Sequence, residues 1–273
     1  MSRFGVITRN GIVRSFIEGS QANLYDPDAV AFFTAANITD TTQKSAVNNL
    51  VLSLKSDNIW SKMKALYPVV GGVESSHAVN LKQPGTFNLV FQTGWTHSST
   101  GMKPNGATYA NTFLNASTVL TNNNVHLSFY SRTQNSSISG VNMGAYDGTN
   151  EINLFQYYAS VAVKGCSIYG YPNSAATFNN SNTRGFQIGS RTSTTSLKLY
   201  FNGTFLINQT NSNTLVTPPR DIFIGASNFN LTPSQYTPHE CAFASIGDGL
   251  TDAEASAFYT AVQTYQTTLG RQV

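Results

Sequence analysis

The chain has 273 residues, of which 40% are hydrophobic, 12% aromatic and only 11% charged, with a formal net charge of +3. Such a chain can bury a full core without metal or disulfide, which excludes a disordered composition. Its scattered basic residues argue against nucleic-acid binding, which takes a clustered basic face, and no stretch reaches the roughly 18 apolar residues of a membrane span.

The N-terminus, "MSRFGVITRNG", lacks the apolar run of a secretory signal. "FGVIT" and "IV" flank Asn10-Gly11, a pair that tolerates positive φ at both turn positions, so a hairpin is predicted. "YDPDAVAFFTAAN" predicts a short helix with Asp26 as cap and Pro27 at its first position. Asp40 and Gln43 form a second capping pair, and Val47, Leu50, Val51 and Leu54 make a helical stripe. A further short helix is expected to carry Ile59, Trp60 and Met63 and to end at Pro68, with a joint near Gly71-Gly72. Residues 1–72 therefore read as a small, mostly helical module, and 73–273 as a second domain.

Beyond about residue 78 the apolar period changes to two. "TFNLVF" alternates around Phe87, Leu89 and Phe91. In "VHLSFYSRT", Val125, Leu127 and Phe129 point one way and His126, Ser128 and Tyr130 the other. "GFQIGSRT" places Phe186 and Ile188 on one face. "LKLYFNGTFLIN" reads as a hairpin around Asn202-Gly203. "DIFIGAS" and "CAFASIG" follow as strands, with Ile222 and Ile224 inward. Strands separated by Gly, Asn and Pro turns indicate a sandwich or barrel, not alternating α/β units.

The chain ends on a helix. Thr251 and Glu254 make a capping box, and Ala255, Phe258, Val262, Tyr265 and Leu269 form one apolar stripe, with Gly270 as the stop. Phe258 and Val262 are expected to be buried against a sheet.

The order of these motifs resembles the laminin-G-like and concanavalin A-like jelly rolls. Leu199-Tyr200-Phe201-Asn202-Gly203, Ile224-Gly225 and Leu250-Thr251-Asp252-Ala253-Glu254 match in sequence over about residues 80–270, and "GATYANTFL" (106–114) is similar to the family's early strand. The resemblance implies a mainly β fold: a two-sheet antiparallel jelly-roll sandwich with a C-terminal helix. The whole chain is also similar to uncharacterised proteins of tailed bacteriophages that carry a segment like Ile59 to Pro68 before the sandwich. That likeness implies a virion component, a tail or capsid appendage, attached to other virion proteins through residues 1–72. It further implies a homo-oligomer, for which a trimer is expected.

Catalysis is not expected. Glycosidases need two carboxylates across a cleft, and the acids of the sandwich are Asp147, Glu151, Asp221, Glu240, Asp248, Asp252 and Glu254, in no strand-face triplet, the last two being helix-start residues. No cofactor is expected, although Asp147, Asn150 and Glu151 offer the hard oxygens that calcium takes. His77, His97, His126 and His239 show no ligand spacing, and Cys166 and Cys241 match no metal motif and read as reduced core thiols. Sugar recognition is the remaining chemistry. Trp95, Tyr146, Asp147, Tyr169 and Tyr171 lie in loop-rich stretches and are the candidate ligand-binding residues for host surface glycans. Two alternatives stay open: a decoration protein without a ligand, and a glycoside hydrolase or depolymerase.

Overall fold

Strands β1 (Phe4–Arg9) and β2 (Ile12–Ile17) pair antiparallel with Arg9 opposite Ile12, as the intervening Asn10-Gly11 predicts. The computed structural model describes residues 4–9, 12–17, 24–134, 139–158, 163–168, 176–179, 182–210 and 216–273.

Helix α1 (Pro27–Ala35) starts where the Asp26 carboxylate accepts the Asp28 amide at 3.0 Å. Helix α2 (Thr41–Ser56) starts where Asp40 accepts the Gln43 amide at 2.8 Å. The Gln43 side chain does not close the expected capping pair, because its oxygen accepts the Gly71 amide instead. The helix expected over 59–67 is also corrected: Trp60–Lys62 is a single 3-10 turn, and Met63–Tyr67 is strand β3. Ile59, Met63 and Leu66 face one core, a spacing that imitates a helix stripe. Ala65 and Tyr67 face a second core, so the strand shows no alternation of apolar with polar.

The remaining elements are α3 (Glu74–His77), β4 (Val90–Phe91), β5 (Trp95–His97), β6 (Met102–Pro104), β7 (Ala110–Asn115), α4 (Ala116–Val119), β8 (Val125–Ser131), β9 (Met143–Tyr146), β10 (Glu151–Tyr158), β11 (Val163–Ile168), β12 (Ala176–Asn179), β13 (Gly185–Ser193), β14 (Ser196–Phe201), β15 (Thr204–Gln209), β16 (Asp221–Ile224), β17 (Ser227–Phe229), β18 (Thr232–Ser234), β19 (Cys241–Gly247) and α5 (Asp252–Thr268). They build two sheets. The inner sheet runs β15-β14-β13-β8-β19-β6-β5, and β3 continues the β6 edge along β19. The outer sheet runs β12-β11-β10-β9-β16-β7-β4, with β17 beside β9 and β18 on β17.

The layers are therefore helices, inner sheet and outer sheet. Val125, Leu127 and Phe129 meet Leu114, Met143, Ile152 and Ile224 of the outer sheet in one core. Tyr130, Phe186, Ile188 and Phe243 turn the other way and meet Phe32, Leu50, Leu54, Phe258 and Val262. Residues on both sides of position 72 thus share this helix-side core.

Helix α5 lies on a face of the inner sheet. The Thr251 hydroxyl accepts the Glu254 amide at 3.3 Å, and Glu254 accepts the Thr251 amide at 2.8 Å, which forms the predicted capping box. The Phe258 ring meets Phe186 edge-on at 5.2 Å and Phe243 at 5.8 Å. Burying a Phe in this way contributes roughly 1.5–3 kcal/mol. Three polar residues on the same sheet face satisfy one another. His126 Nε2 is 2.9 Å from Ser245 Oγ, which is 2.6 Å from Ser128 Oγ, while His126 Nδ1 donates to the Asp248 carbonyl at 2.7 Å.

The β14–β15 hairpin turns through Asn202 (φ 48°) and Gly203 (φ 76°), the pair that the sequence predicts. A Cβ on Gly203 would also lie 2.5 Å from the Tyr259 ring.

Candidate functional site

Alternation along the outer sheet fixes its free face. Met143, Ala145, Ile152, Leu154 and Ile224 point into the inter-sheet core, so Gly144, Tyr146, Glu151 and Asn153 point outward. Tyr146 stands opposite Glu151, and Gly144 opposite both Asn153 and Phe223. Strand β17 runs parallel along β9 and sets Ser227 beside Gly144 and Phe229 beside Tyr146.

A buried polar row lies along this face. Asn153 Nδ2 donates to Glu151 Oε1 at 2.5 Å, and Ser227 Oγ donates to Asn153 Oδ1 at 2.9 Å. Gly144 is required beneath it, since a Cβ there would collide with Asn153 Oδ1 and the Ile152 carbonyl.

An exposed apolar rim follows. The Tyr146 ring stacks on Phe229 with centroids 5.0 Å apart and planes at 28°. Phe229 is 38% exposed. The β17–β18 turn carries Asn230 (φ 49°) and Leu231 (φ 70°), and Leu231 is 75% exposed. A leucine in the left-handed region costs roughly 1–2 kcal/mol, so the turn holds this apolar tip outward against a backbone cost. The Asn230 amide donates to the Tyr146 carbonyl at 2.9 Å, and Arg220 Nη2 donates to Asn230 Oδ1 at 3.0 Å. These two contacts fix the tip beside the ring pair. The Tyr146 hydroxyl donates to the Gly148 carbonyl at 2.8 Å, which pins the ring from its far end.

Asp147 closes the next turn. Its Oδ1 accepts the amides of Thr149 and Asn150 at 2.9 and 2.7 Å, and its Oδ2 accepts Asn150 Nδ2 at 2.8 Å. Burial alone would raise its pKa; these hydrogen bonds and the Arg220 charge outweigh that and hold the carboxyl below the usual range. Asn150 Oδ1 accepts the Val216 amide. Asp147 and Asn150 thus serve the turn, while Glu151 turns toward Asn153. Among the described residues no group of three or more His, Cys, Asp or Glu is placed to hold a metal ion.

The other candidates lie elsewhere. Trp95 is half-buried on β5, at the edge of the inner sheet, packed against Phe91 at 5.2 Å and close over Gly225. Tyr169 and Tyr171 lie outside the described residues. Cys241 is buried as a free thiol whose pKa burial pushes up. The acids weighed for hydrolysis are engaged: Asp248 with Lys64, Glu254 with Lys62, Asp252 with Lys198, Glu240 with Arg132 and Thr100, and Asp221 with Asn111. Phe229, Asn230 and Arg220 were not legible as site residues; the one local signal is Asn230 among turn formers, which marks a hairpin and not a ligand contact.

An exposed aromatic pair of this kind can pack on the apolar C–H face of a sugar ring. Among the described residues, no helix is long and apolar enough to cross a membrane.

No protein-family model matches the chain, and no curated protein sequence matches it. Among solved structures, it is similar to a mutant of Trypanosoma rangeli sialidase that displays trans-sialidase activity, with a TM-score of 0.52 and 10% identity over 80% of this chain and 39% of that one. It is also similar to the receptor binding domain of botulinum neurotoxin D (TM-score 0.49, 13% identity, 74% of this chain and 53% of that one). Domain 4 of AbnA, an extracellular arabinanase of Geobacillus stearothermophilus, solved with arabinotriose, has a TM-score of 0.45 and 14% identity over 72% of this chain and 98% of that one. The chain spans about two fifths of the length of the sialidase it matches. At such identities the likeness concerns the fold alone, a two-sheet β-sandwich.

Proposed function

We propose that this chain is a non-enzymatic, lectin-like module that binds glycans on the outer sheet, through Tyr146 and Phe229. The observation that carries the reading is the exposed Tyr146–Phe229 stack, held by β17 and flanked by Asp147, Asn150 and Asn230. The engaged state of the carboxylates supports binding over hydrolysis. A glycan array tests the reading: wild type is expected to retain a defined set of sugars that Tyr146→Ala and Phe229→Ala lose. Polysaccharide cleavage by the purified protein would overturn it.

The finer reading places the module on a tailed-phage particle as a tail or capsid appendage, joined to other virion proteins through residues 1–72 and assembled as a homo-oligomer. The likeness of Ile59–Pro68 to phage proteins and the low-charge, Asn/Thr-rich surface support it. A second reading, a decoration protein without a ligand, is favoured by the exposed Val90 and Phe113 at the β4 edge of the outer sheet, 56% and 54% exposed, which suit a protein neighbour. Mass spectrometry and labelled imaging of purified virions test the placement; absence of the chain from particles would end it. Light scattering tests the assembly, and a monomer would contradict the expected trimer.

A further inference from the structure

His77 at the end of α3 and His97 at the end of β5 are 20 residues apart in sequence, yet their Nδ1 atoms meet at 3.0 Å with ring centroids 5.1 Å apart. A contact of this kind needs one ring to donate and the other to accept, so one proton lies between two neutral rings. His97 Nε2 stands 3.8 Å from Glu74 Oε2. An N–H at that nitrogen suits the carboxylate, which makes His97 Nδ1 the acceptor and His77 Nδ1–H the donor.

Strand β5 has a short backbone ladder, though Phe91 packs on Trp95 and His97, and Thr100 in the β5–β6 turn bonds Glu240 at 2.6 Å. The strand pairs with β6 over three residues, and β6 joins β19 at one position, Met102 opposite Cys241. We propose that the His77–His97 contact is an acid-sensitive latch that fastens the β5–β6 hairpin, and Trp95 with it, to the short helix α3.

The charged and titratable groups that face the pair are Glu74 on α3 and Arg271 beyond α5; Phe91 covers His97 edge-on at 4.7 Å. One added proton goes to His77 Nε2, and the Nδ1–H···Nδ1 contact can spread its charge over both rings. A second sets two cations against each other and near Arg271, with only Glu74 to offset them. The closed form resists protonation, because burial foremost, then His97 and Arg271, push His77 down to about 3. Burial likewise lowers His97, against the pull of Glu74. The released rings would take protons at about 6.5. Each pH unit below that favours the open form up to about 10-fold per ring, or about 100-fold for the pair.

Hydrogen exchange of the full chain, corrected for intrinsic rates and read by mass spectrometry between pH 7 and 4, tests the latch. Exchange in residues 95–104 is expected to rise at least 10-fold between pH 6 and 5, reversibly, while strand β8 stays protected. The double variant His77→Asn/His97→Gln should show no such rise. Exchange of 95–104 that rises only together with β8 in the wild type would overturn the proposal, whether or not the variant folds. So would an equal rise in a folded double variant.

Discussion

The ring of Phe258 on α5 meets the ring of Phe186 on β13 edge-on at 5.2 Å, and both are fully buried. This contact docks the terminal helix on the inner sheet. Phe258→Ala should cost about 3–5 kcal/mol and lower the melting temperature by on the order of 10 °C. An unchanged melting curve would contradict the docking.

Arg271 ties the chain end to the joint before residue 72. It is 1% exposed and donates to the carbonyls of Val69 (2.5 Å), Pro68 (2.8 Å) and Ala242 (2.9 Å) and to Gln266 Oε1 (2.6 Å). Arg271→Met removes a buried cation and takes the donor from the Val69 carbonyl and Gln266 Oε1, while Pro68 and Ala242 keep the Tyr265 hydroxyl and Gln266 Nε2, so a loss of about 2–4 kcal/mol is expected in urea denaturation. A loss within about 0.5 kcal/mol would mean that the network adds little.

His126 makes stability fall with acid. Burial dominates, against the Asp248 carbonyl, and pushes it down to about 4. The ring is neutral in the fold but takes a proton near 6.5 when unfolded. Its contribution is therefore whole above about pH 6.5, declines as pH falls, and is gone below about 4, for a total of about 3 kcal/mol. Urea midpoints at pH 7 and 4.5 check this; equal midpoints would refute it.

Gly144→Ala tests the polar row. The new Cβ collides with Asn153 Oδ1, so the Asn153–Ser227 bond must give way, at about 1–3 kcal/mol of overpacking. The variant should be less stable and bind sugar more weakly. Full stability with full binding would show that the row is not rigid.

The sandwich was legible because strand alternation, the Asn202-Gly203 turn and the Thr251–Glu254 box are local signals. Strand β3 was not: both of its faces are buried, and Ile59, Met63 and Leu66 happen to fall at helical spacing. Gln43 was misread because its partner, Gly71, is distant in sequence. At the proposed site, Tyr146 and Asp147 stand out in the sequence as an aromatic and an acid in a turn. Phe229 does not, since only the parallel pairing of β17 with β9 brings it beside Tyr146. The His77–His97 pair escaped for the same reason: two residues 20 apart carry no local pattern until β5 folds back on α3.

Chemical-shift mapping with a glycan taken from the array tests the central claim most directly. Binding on the outer sheet should perturb Tyr146, Asn150, Phe229, Asn230 and their neighbours, and leave the helix-side core around Phe258 and Val262 unmoved. Perturbation confined to the Trp95 edge or the helical layer, or no perturbation by any array sugar, would contradict it.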